Sequence, residues 1–398
     1  VNTPAADPLY SFRRLQVAAA VARAGGVRRA SAQLNLSQPA ISQAIAKLEA
    51  ALGEPLFERT SGGMFPTPGG GLFLNRIERL TGYLKAGERE FAGTRGAEGP
   101  PLHRLVAWVE WRALLALIEH GSYAATARAL GVSPPSVHRA VGDLQRRCGR
   151  PLFRVTPSGT EPTAEALALA RWVRLALREI EQGLDELRER RGLDGAVVIG
   201  SLALAETSIV PTAVTRLLAE RPDARVRIID GAYAELLQGL RHGEIDLILG
   251  ALRLAPAGPG FREEALFSEP LSIVVRAGHP ILANPPKDVA ALSALEWIAP
   301  TQRKLFTALF REHGAEPPAR VIECSSFVAI RGLLLQSDRA AFLSASQAPS
   351  DSPGSGLAVV PIPLSSTARS IGICTRDDWA PTATQARLVA LVREASAR

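Results

Sequence analysis

Ser37–Phe57, SQPAISQAIAKLEAALGEPLF, returns without a gap as Ser133–Phe153, SPPSVHRAVGDLQRRCGRPLF, 96 residues further on. Eight of the 21 positions are identical, among them Ser37/Ser133, Pro39/Pro135, Leu48/Leu144, Gly53/Gly149 and the Pro-Leu-Phe triplets. The same offset carries Gly25-Gly26 onto Gly121-Ser122, Leu34 onto Leu130 and Thr67 onto Thr163. An internal repeat of this kind decides the architecture before any single element is considered.

Each copy reads as three helices and a wing. In the first, a helix from about Ser11 to Ala24 stops at Gly25-Gly26, a short one covers Val27 to Leu34, and Asn35-Leu36 turns into a third capped by Ser37. A Ser cap followed by Pro in the first turn is a favourable start, because Pro lacks an N–H that would find no partner there. The second copy does the same with Ser133, Pro134 and Pro135. Helical spacing puts Ile41, Ile45 and Leu48, or Val137, Val141 and Leu144, on the core face. Outward-facing positions are then Ser37, Gln38, Ser42, Gln43 and Lys47, matched by Ser133, Pro134, His138, Arg139 and Asp143, with Pro39 a further DNA-binding candidate.

Beyond each wing the offset persists into a helical stretch of about Gly71 to Phe91 and Ala164 to Arg190. Phe73, Ile77, Leu80, Leu84, Gly87 and Phe91 align there with Leu169, Val173, Ala176, Ile180, Gly183 and Leu187. Spacings that alternate between four and three give a narrow stripe suited to pairing two helices, although such a helix could also lie on its own domain. The Gly- and Pro-rich segment 93–101 is the expected linker.

Charge supports a polyanionic partner. Net charge is +7, and the excess is concentrated: residues 1–71 hold seven Arg or Lys against four acids, and 101–163 hold eight Arg against four. A helix-turn-helix places its second helix in the major groove, with residues near the N-terminus reaching base edges. Gln pairs with adenine and Arg with guanine, so Gln43 and Arg139 are the expected base readers.

From Ala196 the pattern changes to short apolar runs between helices. Strands are expected at Val197–Leu202, Arg225–Ile229, Asp246–Leu249, Leu271–Val275, Trp297–Ala299, Val321–Cys324, Ala341–Ser344, Leu357–Ile362 and Ile371–Thr375, in largely parallel α/β sheets. Ligands of such sheets sit beyond the carboxyl ends of the strands. That marks Ser201, Thr301-Gln302-Arg303 and Ser325-Ser326 as candidate effector contacts, with Arg253 or Arg303 favoured for a carboxylate. Ser326 and Thr301 could equally be simple helix caps.

The Ser-Gln-Pro-Ala-Ile-Ser start, Leu48-Glu49, Gly53, Pro55-Leu56-Phe57, Arg59 and Thr67-Pro68 resemble the LysR-type transcriptional regulators. Ser122-Tyr123, Thr126-Ala127, Leu130, Ser133, Pro135 and Pro151-Leu152-Phe153 extend the likeness to the second copy, where Val155 stands in place of the wing Arg and Ala164 follows Thr163 in place of Pro. The resemblance implies that Arg59 holds a phosphate, with Arg154 as its substitute in the second copy. The resemblance implies two winged helix-turn-helix units with linker helices, at 9–92 and 102–192. A two-lobed, periplasmic-binding-protein-like effector domain would follow at 196–390. It further implies operator DNA, a small-molecule effector and a second copy of the chain as partners, with RNA polymerase a further one. Tyr233-Ala234-Glu235-Leu236-Leu237, Ile248–Arg253 and Gly278-His279-Pro280 resemble the branch that includes sugar-responsive, galactose-type regulators, so a sugar or a small organic acid is the expected effector.

Other classes fare less well. No HExxH, GxSxG, P-loop or GxGxxG occurs, so catalysis has no motif behind it and no cofactor or metal is expected. A thiol-based redox sensor is an alternative, using Cys324 and Cys374, which could lie on strands of one lobe. An architectural DNA-binding protein would leave nearly half the chain without a purpose. No apolar run reaches the length of a membrane span, and the polar start of the chain lacks the features of an export signal, so a cytoplasmic location is expected.

Overall fold

The computed structural model describes residue 9 and residues 11–60, 63–92, 102–157, 159–207, 209–253, 257–286, 288–299, 304–347, 356–362, 364 and 367–397. The first repeat forms α1 (Phe12–Ala24), α2 (Val27–Leu34), α3 (Gln38–Leu52), a wing of β1 (Phe57–Thr60) and β2 (Gly63–Pro66), and α4 (Pro68–Ala92). After the short α5 (Leu102–Leu105), the second gives α6 (Trp108–His120), α7 (Tyr123–Leu130), α8 (Pro134–Cys148), β3 (Phe153–Thr156), β4 (Gly159–Pro162) and α9 (Ala164–Arg190). The expected linker 93–101 lies outside the described residues.

Repeated residues do the same work twice. Ser37 Oγ accepts from Ala40 N at 3.4 Å, and Ser133 Oγ from Ser136 N at 3.4 Å. Glu49 Oε1 accepts from Leu56 N at 2.8 Å, fixing the wing's entry onto the third helix, and Gln145 Oε1 accepts from Leu152 N at 2.8 Å. Those bonds explain why a carbonyl-bearing side chain follows Leu48 and Leu144. Gly53 and Gly149 end the third helices at φ 64° and 67°, left-handed backbone that an L side chain resists.

The first linker helix begins at Pro68, three residues earlier than its glycines suggest. Proline is at home in a first turn. A Cβ on Gly70 would lie 1.9 Å from the Leu56 carbonyl oxygen, so the glycine lets α4 start directly against the wing strand.

The second unit of the chain holds β5 (Ala196–Ser201), α10 (Ala203–Glu206), α11 (Ile209–Glu220), β6 (Arg225–Asp230), α12 (Tyr233–Arg241), β7 (Leu247–Ala251), β8 (Phe261–Glu269) and β9 (Leu271–Arg276). It continues with β10 (Glu296–Ala299), α13 (Lys304–Glu312), β11 (Val321–Glu323), α14 (Phe327–Leu335), β12 (Arg339–Ser344), β13 (Leu357–Val360), β14 (Arg369–Arg376) and α15 (Ala383–Ser396). Two five-stranded sheets result, ordered β6-β5-β7-β14-β8 and β11-β10-β12-β9-β13. They are mixed, which corrects the expectation of largely parallel sheets. β5–β7, β10–β11 and β10–β12 are parallel, whereas β14 runs antiparallel to β7 and β8, and β9 antiparallel to β12 and β13. The chain leaves the first lobe along β8 and returns along β14, and two crossings of that kind bring in strands of opposite direction. β8 itself was not among the expected strands. Its Arg262-Glu263-Glu264 run breaks the apolar pattern, and only pairing with β14 makes it a strand.

Candidate nucleic-acid interface and effector cleft

The linker helices α4 and α9 pack against each other within one chain, antiparallel. Gly87 on α4 meets Trp172 early in α9, and Gly183 late in α9 meets Phe73 early in α4. A Cβ on either glycine would lie 2.8–2.9 Å from the facing ring. All twelve stripe residues are buried.

Because the repeat offset relates the two helices, the two ends of the seam can be compared residue by residue, and they are unlike. At one end Arg76 Nη1 donates to Glu179 Oε2 at 2.9 Å and to Gln182 Oε1 at 3.0 Å, Arg76 Nε donates to Glu186 Oε2 at 3.1 Å, and Arg79 pairs with Glu179 at 2.9 Å. The Arg76 and Glu179 side chains are only 4% and 2% exposed. Burial alone would lower the Arg76 pKa, but the Glu186 and Glu179 carboxylates outweigh it and hold it raised. At the other end the equivalent positions are Trp172 for Arg76, Tyr83 for Glu179 and Glu90 for Glu186. There the Tyr83 and Trp172 rings lie 6.1 Å apart, and Trp172 Nε1 donates to Glu90 at 2.7 Å.

The two third helices present their expected readers unevenly. Ser37, Gln38, Pro39, Gln43 and Lys47 are exposed and Ser42 half-buried on α3. On α8, Ser133, Pro134, His138 and Arg139 are exposed, His138 stacking on Tyr123 at 3.7 Å, while the half-buried Asp143 pairs with Arg146. Arg59 projects from the first wing and Arg154 from the second, next to Val155, which is 88% exposed.

In the effector half, a cavity of about 250 Å³ opens between the lobes, lined by Ala203 and Leu204 from one side and by Ile298, Phe306, Ser325 and Phe342 from the other. Among the described residues, Ser325 is thus the one expected contact on its wall. Ser201 ends β5 fully buried, its Oγ without a partner among the described residues. Ser326 caps α14 by accepting from Ala329 N at 3.4 Å. Arg253 is exposed and lies over the Tyr233 ring at 4.6 Å. Thr301, Gln302 and Arg303 lie outside the described residues.

Arg369 and Gln347, which also line the cavity, were not foreseen. Gln347 Oε1 accepts from Ser344 N at 3.1 Å and its Nε2 donates to the Ala203 carbonyl at 3.3 Å, linking the lobes. The cysteine expectation is corrected: Cys374 lies on β14 of one sheet, and Cys324 follows β11 in the other. Burial, reinforced by Glu263, pushes the Cys374 thiol up to about 12, which disfavours the thiolate that redox chemistry needs.

Two winged helix-turn-helix units joined to a two-lobed effector fold define a ligand-responsive DNA-binding regulator, and comparison with known proteins gives the family. The model for the "Bacterial regulatory helix-turn-helix protein, lysR family" matches twice, at residues 12–71 and 108–167, and that for the "LysR substrate binding domain" matches residues 190–397. The chain belongs to the LysR family of transcriptional regulators. It is 33% identical to the HTH-type transcriptional regulator GalR of Pseudomonas putida over 94% of both chains, and 27% identical to PcaQ of Agrobacterium fabrum over 72% of this chain and 95% of that one. Among solved structures, CbnR, a LysR family transcriptional regulator, superposes with a TM-score of 0.52 at 24% identity, covering 72% of this chain and 98% of CbnR. Among the described residues no helix is long and apolar enough to cross a membrane.

Proposed function

We propose that one chain carries a complete pair of unlike DNA readers, α3 and α8, set by the intrachain α4–α9 seam, and that a small molecule in the lobe cleft modulates their operator binding in the cytoplasm. The division of labour follows the segments 9–92, 102–192 and 196–390. The observation that carries the reading is the seam itself, since pairing of linker helices positions two readers on DNA and here both helices come from one polypeptide. Gln43 and Arg139 read bases, with Ser37, Gln38, Pro39, Ser42 and Lys47, and Ser133, Pro134 and His138, around them. Arg59 and Arg154 hold phosphates. Ser325 on the cavity wall contacts the effector, and Ser201, Ser326, Arg253, Thr301, Gln302 and Arg303 are the further candidates for its recognition. Further copies of the chain and RNA polymerase are additional partners.

Unlike readers imply unlike half-sites. Footprinting with the full chain is expected to show two dissimilar half-sites, with Gln43→Ala relaxing base preference in one and Arg139→Ala in the other, at about 1–3 kcal/mol per lost bidentate contact. A strict palindrome in which both substitutions act identically would refute the assignment. Arg59→Ala is expected to weaken binding to all sequences alike and to reduce the slope of log affinity against log salt by about one, because a phosphate contact carries no sequence information. Titrations at several salt concentrations check this.

A further inference from the structure

We propose that the cleft takes a small carboxylate with an apolar body, and that Arg369 is its counterion; this rests on the effector reading above and chooses between the two ligand classes that the sequence left open. Most of the wall is hydrocarbon, with Leu204, Ile298, Phe306 and Phe342 among its side chains. What polar capacity it has is mostly spent within the protein. The Gln347 amide is engaged at both ends, and the Cys324 thiol donates to the Ser326 carbonyl at 3.7 Å.

Arg369 is different. It opens β14, where the chain has just crossed back between the lobes, and its Nη2 donates to Ser344 Oγ at 3.1 Å across the cleft. Its Nε is buried without an acceptor, and it makes no ion pair among the described residues. Glu269 faces it in the strand register, yet both Glu269 oxygens accept from Ser346, at 3.0 Å from its N and 3.2 Å from its Oγ. Burial pushes the Arg369 pKa down; Glu269 offsets this in part, and Arg253 adds to the depression. Among the described residues the site thus holds a partly desolvated guanidinium that Glu269 offsets only in part, a second cation near it, and no carboxylate ion-paired to that guanidinium.

A charge only partly compensated in such surroundings is costly, and a ligand carboxylate lowers that cost while accepting the paired N–H bonds a guanidinium offers. A neutral sugar would leave the charge unpaired and would bury its hydroxyls against carbon. Since Arg369 already joins the lobes through Ser344, an anion bound to it acts at the crossover that the two lobes share.

The test uses the full chain and thermal shift, with benzoate, 4-hydroxybenzoate, hexanoate and succinate, each compared with its amide, and with glucose and galactose. Stabilisation by at least one acid and by none of the amides or sugars is expected. Arg369→Gln should weaken that acid about ten- to a hundredfold, the worth of a hydrogen bond to a charged group, with Arg369→Lys recovering part of the loss. If Arg369→Gln does not fold, Arg253→Gln, at an exposed position, should still weaken the acid several-fold at low salt. Acid binding that ignores both substitutions overturns the proposal. So does stabilisation by sugars alone, which would leave the effector reading standing. No shift with any compound, together with DNA binding that responds to none, overturns both.

Discussion

Arg76→Ala is expected to destabilise the N-terminal unit by about 3 kcal/mol, because removing one member of a buried ion pair strands the other. Glu179 would keep only Arg79, whose side chain is 30% exposed. Glu186 and Gln182 would lose their donor as well. The double substitution Arg76→Met with Glu179→Met should recover part of the loss, since it removes the stranded Glu179 carboxylate but leaves Gln182 and Glu186 without that donor. Scanning calorimetry of the full chain reads both variants. A loss below about 1 kcal/mol for Arg76→Ala would mean that the network is solvated and contributes as little as a surface pair.

The second large effect concerns the seam's close approach. Gly183→Leu places a side chain where the Phe73 ring and the Arg76 stem already sit, at 2.8 Å and 3.3 Å from the first added carbon. Phe73 is fully buried, so the helices must part. Operator affinity is then expected to fall by about 10²–10⁴, the gain that a tethered second reader supplies, while binding to one isolated half-site changes little. Gly87→Leu, at the equivalent place against Trp172, should behave alike. Gly82, on the same helix with nothing within 4 Å, provides the control: Gly82→Ala should leave affinity unchanged and add about 0.5–1 kcal/mol of helix stability. Equal losses from all three substitutions would show that the effect is not the seam's.

Much of this was legible in the chain because the repeat doubles every signal. Ser37/Ser133, Gly53/Gly149 and the Pro-Leu-Phe triplets are local devices whose geometry depends on neighbours within about ten residues, and they recur in the structure in matching roles. The linker stripe was equally readable, since one side chain in each turn or so faces the partner. What was not legible depends on distant register. Arg369 precedes the apolar run of its strand and becomes a cleft residue only because β14 returns beside β8 and lies across from Ser344. The unlike ends of the seam likewise required knowing that Arg76 faces Glu179 while Trp172 faces Tyr83. Whether Cys324 and Cys374 share a lobe also depends on sheet order, which separates them.

The buried Glu179 bears on how the regulator behaves at low copy number. Two copies of α9 pairing in the same register would set Trp172 against Glu179 and leave that carboxylate without its arginines, so the mixed pair is favoured over the α9 self-pair. With both halves supplied by a single polypeptide, assembly of the reader pair needs no encounter between molecules. Operator occupancy at scarce protein should then rise with the first power of chain number, not its square, and a cell holding only a handful of chains would keep a graded response where a conventional dimer would fall silent.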